Sequence, residues 1–411
     1  MVVPANEAVP NLLLRQAREA QNLTQDEVAD GLIRLGAKGV TGGLVSKWER
    51  GICRPNRFHR RLLCQFFDST PELLGLSERR LDTTEEAPTG GLLSRASDAA
   101  VTAKQKRSSV DPLTVEELDQ DVERFAVECL GMPHADLFPQ VWDDWQRVEQ
   151  LLDVRQSLKD RAHLTLLGGQ LTYFLARLSF NLGDYTAARR HAALAWRYAE
   201  DVGQAVLCAS VKTLQGTIAF YAGQHRRSFD HLHIAERYDN TYNRPRIAAN
   251  MARVYAVLGE RQDAEQALAV MERHLIDLPV QPGDSPYTPA TGMSALASTL
   301  VWLGEGEVAE DYARQAVALY HRPGVRHTLF EDRGNATLNL AASLVARQRP
   351  EPEEAARLGI EVMAVPEGKR TETVRKRGTE LLELLGEWHT TPPVLELAER
   401  LHEYRLPQPA S

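Results

Sequence analysis

Apolar residues recur at helical spacing along nearly the whole chain, interrupted by short polar breaks that mark where elements end. Near the start, Leu12, Leu13, Ala17 and Ala20 form the apolar face of a first helix. Thr24 with Glu27 three residues later has the form of a capping box for a second, backed by Val28, Ala29, Ile33 and Leu35. Thr41 is a good N-cap for a third, whose Val45 and Trp48 point inward. "RPNRFHRRLLCQFF" supplies a fourth helix and "TPELLGL" a short fifth. Residues 78–112 are rich in Ser, Thr, Ala, Gly and charge, with almost no large apolar side chains. Such a stretch cannot bury enough surface to offset its ordering entropy, which predicts a flexible linker. From Leu113 onward the pattern is almost wholly helical, broken at "NLGDY", "YAGQH", "VLGER" and "WLGEG".

Those breaks are periodic. Ala176, Gly183, Ala188 and Ala195 are separated by seven, five and seven residues. The same offsets recur in Gly216, Gly223, Ser228, Ala235; in Ala252, Gly259, Ala264, Met271; and in Ala297, Gly304, Ala309, Ala316. Antiparallel helices pack closely only where small side chains face each other, and a glycine ends the first helix in a left-handed conformation. The spacing resembles the tetratricopeptide repeat from Leu164 to Val362, with a fifth unit in "ATLNLAASLVARQRPEPEEAARLGIEVM" and a cap formed by helices between Val115 and Arg161. "PVQPGDSPYTP" reads as a loop inserted between repeats. The resemblance implies a helical solenoid with a concave inner face. The fold class is therefore all-α: a five-helix domain over residues 8–77, a linker over 78–112 and a repeat domain over 113–405.

Composition adds a polarity to this layout. A 43% hydrophobic share and 25% charged share are those of a globular chain able to bury a large core. No apolar run approaches the roughly 20 residues that cross a bilayer, and the start lacks a signal-peptide pattern, so a cytoplasmic protein away from the membrane is expected. Cys53, Cys64, Cys129 and Cys208 lack CxxC spacing and read as reduced, buried thiols. Net charge is −8, yet Asn11 to Phe66 holds ten Lys/Arg against five Asp/Glu, or +5, which leaves −13 for the rest. A compact basic segment on an acidic body is the footprint of one DNA-contacting module.

"LTQDEVADGLIRL…VTGGLVSKWERGICRP" is similar to the helix-turn-helix of the Cro/lambda-repressor (Xre) family, in its Leu-Thr-Gln opening, its Ser-x-Trp-Glu-x-Gly close and the Arg-Pro that follows. The resemblance implies a second helix across the DNA backbone and a third in the major groove. It places Thr24 and Gln25 on phosphate. It turns Thr41, Gly42, Gly43 and Lys47 toward the groove, with Ser46 reading bases and Leu44 touching thymine methyls. Glu49 pairs within the domain, and Arg50, Arg54 and Arg57 approach phosphates. Two departures stand out: the connection "GLIRLGAKGV" is longer than a tight turn, and Gly42 and Gly43 replace polar side chains. Specificity is then expected to draw on backbone approach, DNA shape and a second half-site.

For the repeats, the resemblance implies asparagines gripping ligand from the concave face. Asn250 and Asn339 occupy that place, with Arg177, Arg246 and Arg253 projecting into the same groove; an asparagine beside an arginine suits a peptide's amides and carboxylate. "GQHRRSFDHLH" gathers His225, Asp230, His231 and His233, but without the i, i+4 pair of a zinc site it reads as a solvated face, and neither metal nor cofactor is expected. Phosphate-loop, nucleophile-elbow and metalloprotease motifs are lacking, so no enzyme activity is expected. The resulting expectation is a homodimeric transcription regulator that binds a double-stranded DNA operator and senses a signalling peptide or small molecule. It is similar to peptide-responsive quorum-sensing regulators and to actinobacterial Xre regulators with tetratricopeptide repeats. The alternative is a repeat scaffold that recruits a partner protein, with weak and unspecific DNA contact.

Overall fold

A computed structural model of the chain describes residues 10–76, 110–238, 240–274, 284, 286–322 and 330–408. Its regular structure among these residues is entirely helical. The chain divides into two compact units, residues 1–95 and 96–411. No helix among the described residues is long and apolar enough to cross a membrane.

The first unit contains α1 (Leu12–Ala20), α2 (Gln25–Arg34), α3 (Gly42–Glu49) and α4 (Arg57–Phe66). Thr24 and Glu27 form the expected capping box on α2, and Thr41 caps α3. Two apolar faces differ from expectation. In α1, Leu12 and Leu13 are exposed while Leu14 is buried, and in α2 Leu32 rather than Ile33 enters the core. Both shifts follow from helical period: Val28 and Leu32 lie one turn apart on the side facing Val45, Trp48 and Leu63. The expected fifth helix is a single turn over Pro71–Gly75. Asn11 donates to the Leu74 carbonyl (2.8 Å), and Gly75 takes φ +64°, so the turn stops before a helix can propagate.

The second unit begins inside the expected linker. Val110 is buried, and Asp111 caps α5 (Pro112–Glu128); residues 78–109 lie outside the described residues. After α5 and α6 (His134–Asp153) come five helical hairpins. They are α7 (Leu158–Asn181) with α8 (Tyr185–Val202), α9 (Ala205–Tyr221) with α10 (His225–Glu236), and α11 (Arg244–Leu258) with α12 (Arg261–Glu272). The last two are α13 (Pro289–Trp302) with α14 (Gly306–Tyr320), and α15 (Phe330–Ala346) with α16 (Pro352–Met363). Then α17 (Glu372–Leu384) and α18 (Pro392–His402) complete the unit.

Hairpin packing follows the repeated spacing. Gly183, Gly223, Gly259 and Gly304 take φ +86°, +73°, +80° and +77° at their turns. All the small residues facing across the pairs are buried. At Gly216 an added Cβ would lie 2.9 Å from Leu232 Cγ, and the Gly216 carbonyl accepts from Ser228 Oγ (2.7 Å), so α9 and α10 touch at backbone distance. The cap helices α5 and α6 pack on α7, and large side chains such as Phe125 and Phe174 fill the core there. Removing a phenyl ring from such a site costs about 3–5 kcal/mol. Cys129 and Cys208 are buried, whereas Cys53 and Cys64 are only half-buried, and all four are free thiols.

The hairpin stack also closes on itself. Asn181 at the end of α7 donates to Glu331 of α15 (3.0 Å), and Tyr185 of α8 donates to Glu372 of α17 (3.0 Å). The first helices of the hairpins thus line an inner face whose two ends are in contact.

Candidate functional site

In the first unit, α3 is set by what lies beneath it. Glu49, 5% exposed, accepts from Arg18 Nε (2.7 Å) and from Gln25 Nε2 (2.8 Å), which removes its charge from the surface. Val45 and Trp48 anchor the helix in the core. The long α2–α3 connection is fixed by Ala37 and Val40, both buried. Thr41, Gly43, Lys47 and Arg50 are left exposed, with Ser46 half-buried between them. Lys47, Arg50, Arg54 and Arg57 make no ion pair among the described residues, and the last two continue the cationic strip into the loop after α3 and the first turn of α4.

Three expected contacts are placed differently. Gly42 does not face outward: it is buried, and an added Cβ would meet Asp26 Oδ1 at 2.0 Å. Its small size serves the contact with α2. Leu44 is half-buried against the core rather than free to reach a base. The Thr24 hydroxyl donates to Glu27 (2.8 Å), so its one proton is taken, while Gln25 keeps a second amide N–H beyond the one on Glu49.

In the second unit, the inner face carries a partly open cavity of about 190 Å³. Arg177 of the first hairpin and Arg246, Asn250 and Arg253 of the third, all expected from the sequence, line it. Arg246 pairs with Asp284 (3.3 Å), a buried carboxylate that also accepts from Tyr173 (2.6 Å) and Ser210 (2.5 Å). Burial and the Asp284 charge hold the Tyr173 hydroxyl well above its ordinary range, so it acts as a neutral donor. Asn250 is occupied: its oxygen accepts from Thr217 (3.1 Å) and Arg253 (2.8 Å), and its nitrogen donates to the Arg246 carbonyl (2.9 Å). It therefore orients Arg253. Asn339 stands apart from the cavity, donating to Ser294 (2.8 Å) and accepting from Arg377 (2.5 Å). Both Asn339 and Arg377 line a neighbouring groove of about 360 Å³ that includes the exposed Trp302 and Leu384.

The sequence reading missed Arg377, Glu331 and Asp284. Arg377 carried a signal: it stands between Val374 and Leu381 at helical spacing, a cation in an apolar stripe. Glu331 lines the cavity but is committed to Asn181 and to Thr373 (2.8 Å). Asp284 lies in "PVQPGDSPYTP", whose composition pointed to a surface loop.

No family model matches the chain, and no curated protein matches it. Among solved structures it is similar to a signal-transduction ATPase with numerous domains from Pyrococcus horikoshii that carries a tetratricopeptide-repeat sensor. Identity is 11%, the match covers 98% of this chain and 66% of that one, and the TM-score is 0.32. The chain thus spans about 66% of the length of that protein.

Proposed function

We propose that the chain is a DNA-binding transcription regulator: its first unit contacts an operator through α3, and its hairpin unit senses a small ligand and mediates dimerisation. The observation that carries this reading is the strip formed by Lys47, Arg50, Arg54 and Arg57, four exposed cations without ion pairs beside a helix whose one acid, Glu49, is neutralised from within. Free cations at the end of α3 and just beyond it supply the phosphate term of binding, and Lys47 and Ser46 supply the donors that distinguish bases. The Xre-like motif agrees with this role. A dimer follows because one small module contacts too few bases for specific affinity. The protein acts in the cytoplasm and without catalysis.

Titration of the full chain against its own upstream intergenic DNA, at two salt concentrations and with competitor DNA, tests the reading. Specific protection supports it; binding of every duplex alike, lost with salt, favours the scaffold. Lys47→Ala is expected to cost about 1–3 kcal/mol at one base pair and to relax preference there. Arg54→Ala is expected to weaken all sequences equally and to lower the salt slope by about one. Identical effects from the two substitutions would remove the division between base and phosphate contacts.

A further inference from the structure

The charges around the inner cavity do not balance. Arg246 has Asp284, Arg177 lies in the field of Glu331 and Asp332, and Glu331, also on the lining, is held by Asn181 and Thr373. Arg253 of α11 and Arg377 of α17 are different, since neither forms an ion pair. Arg253 donates to Asn250 (2.8 Å) and weakly to Tyr221 Oη (3.4 Å), and its guanidinium lies 4.3 Å from the Phe220 ring centre. Arg377 donates to Ser298 Oγ (3.0 Å) and Asn339 Oδ1 (2.5 Å). Every one of these partners is neutral. The Nε atoms of both arginines are shielded from solvent and have no hydrogen-bond acceptor. Burial and the neighbouring Arg377 charge both depress Arg253's hold on its proton, so the two cations sense each other across the space they line. Glu380, one turn along α17, partly offsets this without pairing to either.

Two partly buried guanidiniums facing one cavity, each hydrogen-bonded only to neutral partners, form an arrangement whose missing component is negative charge. The volume sets the size. At about 190 Å³ the cavity falls below the roughly 300–1,000 Å³ of sites for drug-sized molecules, which points to a compact metabolite rather than a folded peptide. The Ser298 hydroxyl, which accepts from Arg377, also stands on its wall, whereas the Thr213 and Thr217 protons there are held by the Ala209 and Thr213 carbonyls. We propose that this cavity binds a small dianion, a phosphate monoester or a dicarboxylate, clamped between Arg253 of the third hairpin and Arg377 of α17, which follows the last hairpin. A planar guanidinium fork matches both anions, and a doubly charged group can satisfy two forks at once. The clamp joins two elements far apart in sequence, so occupancy would tighten the closed stack. This deepens the sensor reading above by naming the ligand class.

The test is thermal melting and calorimetric titration of the full chain with O-phosphoserine, inorganic phosphate and glutarate, against sodium chloride at equal ionic strength. Glutaramide serves as the neutral control. A saturable rise in melting temperature with a dianion, and none with glutaramide, is expected. A response to phosphoserine and phosphate alone assigns a phosphate ligand, and a response to glutarate alone assigns a dicarboxylate; either supports the proposal. Arg253→Gln and Arg377→Gln are each expected to weaken binding at least tenfold. Without ligand both variants should melt no lower than the parent chain, because each removes an uncompensated cation. A merely structural arginine would give the reverse, a lower melting point with the anion response intact, and that result overturns the proposal. So does the absence of any rise beyond the chloride control. Operator titration is read separately: specific DNA binding without an anion response keeps the regulator and removes only the clamp.

Discussion

Gly42 and Gly43 stand side by side at the start of α3, where base-reading side chains are expected, and they are glycine for different reasons. A Cβ at Gly42 would press on the Asp26 carboxylate and lie 3.1 Å from the Asp26 backbone nitrogen. A Cβ at Gly43 meets nothing nearer than Thr41 Oγ1 at 3.8 Å. Packing therefore accounts for the first glycine and leaves the second unexplained from within the unit. Gly42→Ala is expected to destabilise the first unit by forcing Asp26 off its rotamer. Gly43→Ala should stabilise it, by up to about 1 kcal/mol, since alanine is the better helix former. If the duplex comes close to the bare backbone at Gly43, the same methyl group must lower operator affinity. Denaturant unfolding paired with operator titration separates the two effects. A Gly43→Ala chain that gains stability and binds DNA as before would eliminate close backbone approach as a source of specificity.

The hairpin is the unit on which the second domain is built, and its turn glycines differ in their surroundings. Gly183 and Gly259 both hold a positive φ that strains any residue with a side chain. At Gly259 an added Cβ meets open space, but at Gly183 it would lie 2.6 Å from Leu406 Cδ1, after α18. Gly259→Ala should therefore cost about 1–2 kcal/mol through backbone strain alone. Gly183→Ala should cost more, because Leu406 must also move. Equal losses in chemical denaturation would show that the Leu406 contact contributes nothing. The strain was legible in the sequence; the contact was not. Spacing identifies a turn and the small residues that face across it, because both follow from local helix geometry. It does not report what packs on the turn from more than two hundred residues away. The same distinction explains the sites. Asn250 and the three arginines of hairpins one and three were found because the repeat template fixes which positions face inward. Arg377 lies past the last repeat, beyond any template. Asp284 sits among prolines and glycine that read as surface, yet Arg246, Tyr173 and Ser210 bury it. The first unit shows the same pattern: the capping box was plain, whereas the single turn at Pro71–Gly75 depends on Asn11 sixty residues earlier.

At the largest scale, closure of the hairpin stack brings ionisable groups from its two ends together. His134, at the start of α6, lies 3.8 Å from Glu331 of α15, and Asp332 follows Glu331 in the chain. Burial pushes His134 below its ordinary value, while loss of water and the Glu331 charge push Asp332 from 3.8 up to about 6. The signs oppose. Between about pH 4 and 6 the folded chain holds a proton on Asp332 that the unfolded chain has released, so the stability this group contributes is full below pH 4 and is lost as pH rises through 6. His134 does the opposite: the folded chain binds fewer protons, so its contribution is present above the ordinary histidine range and is lost as pH falls. The intact protein should consequently show a shallow stability profile across this window, made of two slopes that offset each other. Asp332→Asn removes one of them. The variant should lose stability more steeply than the parent on acidification from pH 6.5 to 4.5, and it should compare best above pH 6, where the parent carries a partly buried charge beside Glu331. Unfolding free energies of both chains at four pH values between 4.5 and 7.5 measure the difference directly. A gap between them that stays constant with pH would mean that Asp332 is already ionised throughout, and that closing the stack does not strip the water from this seam.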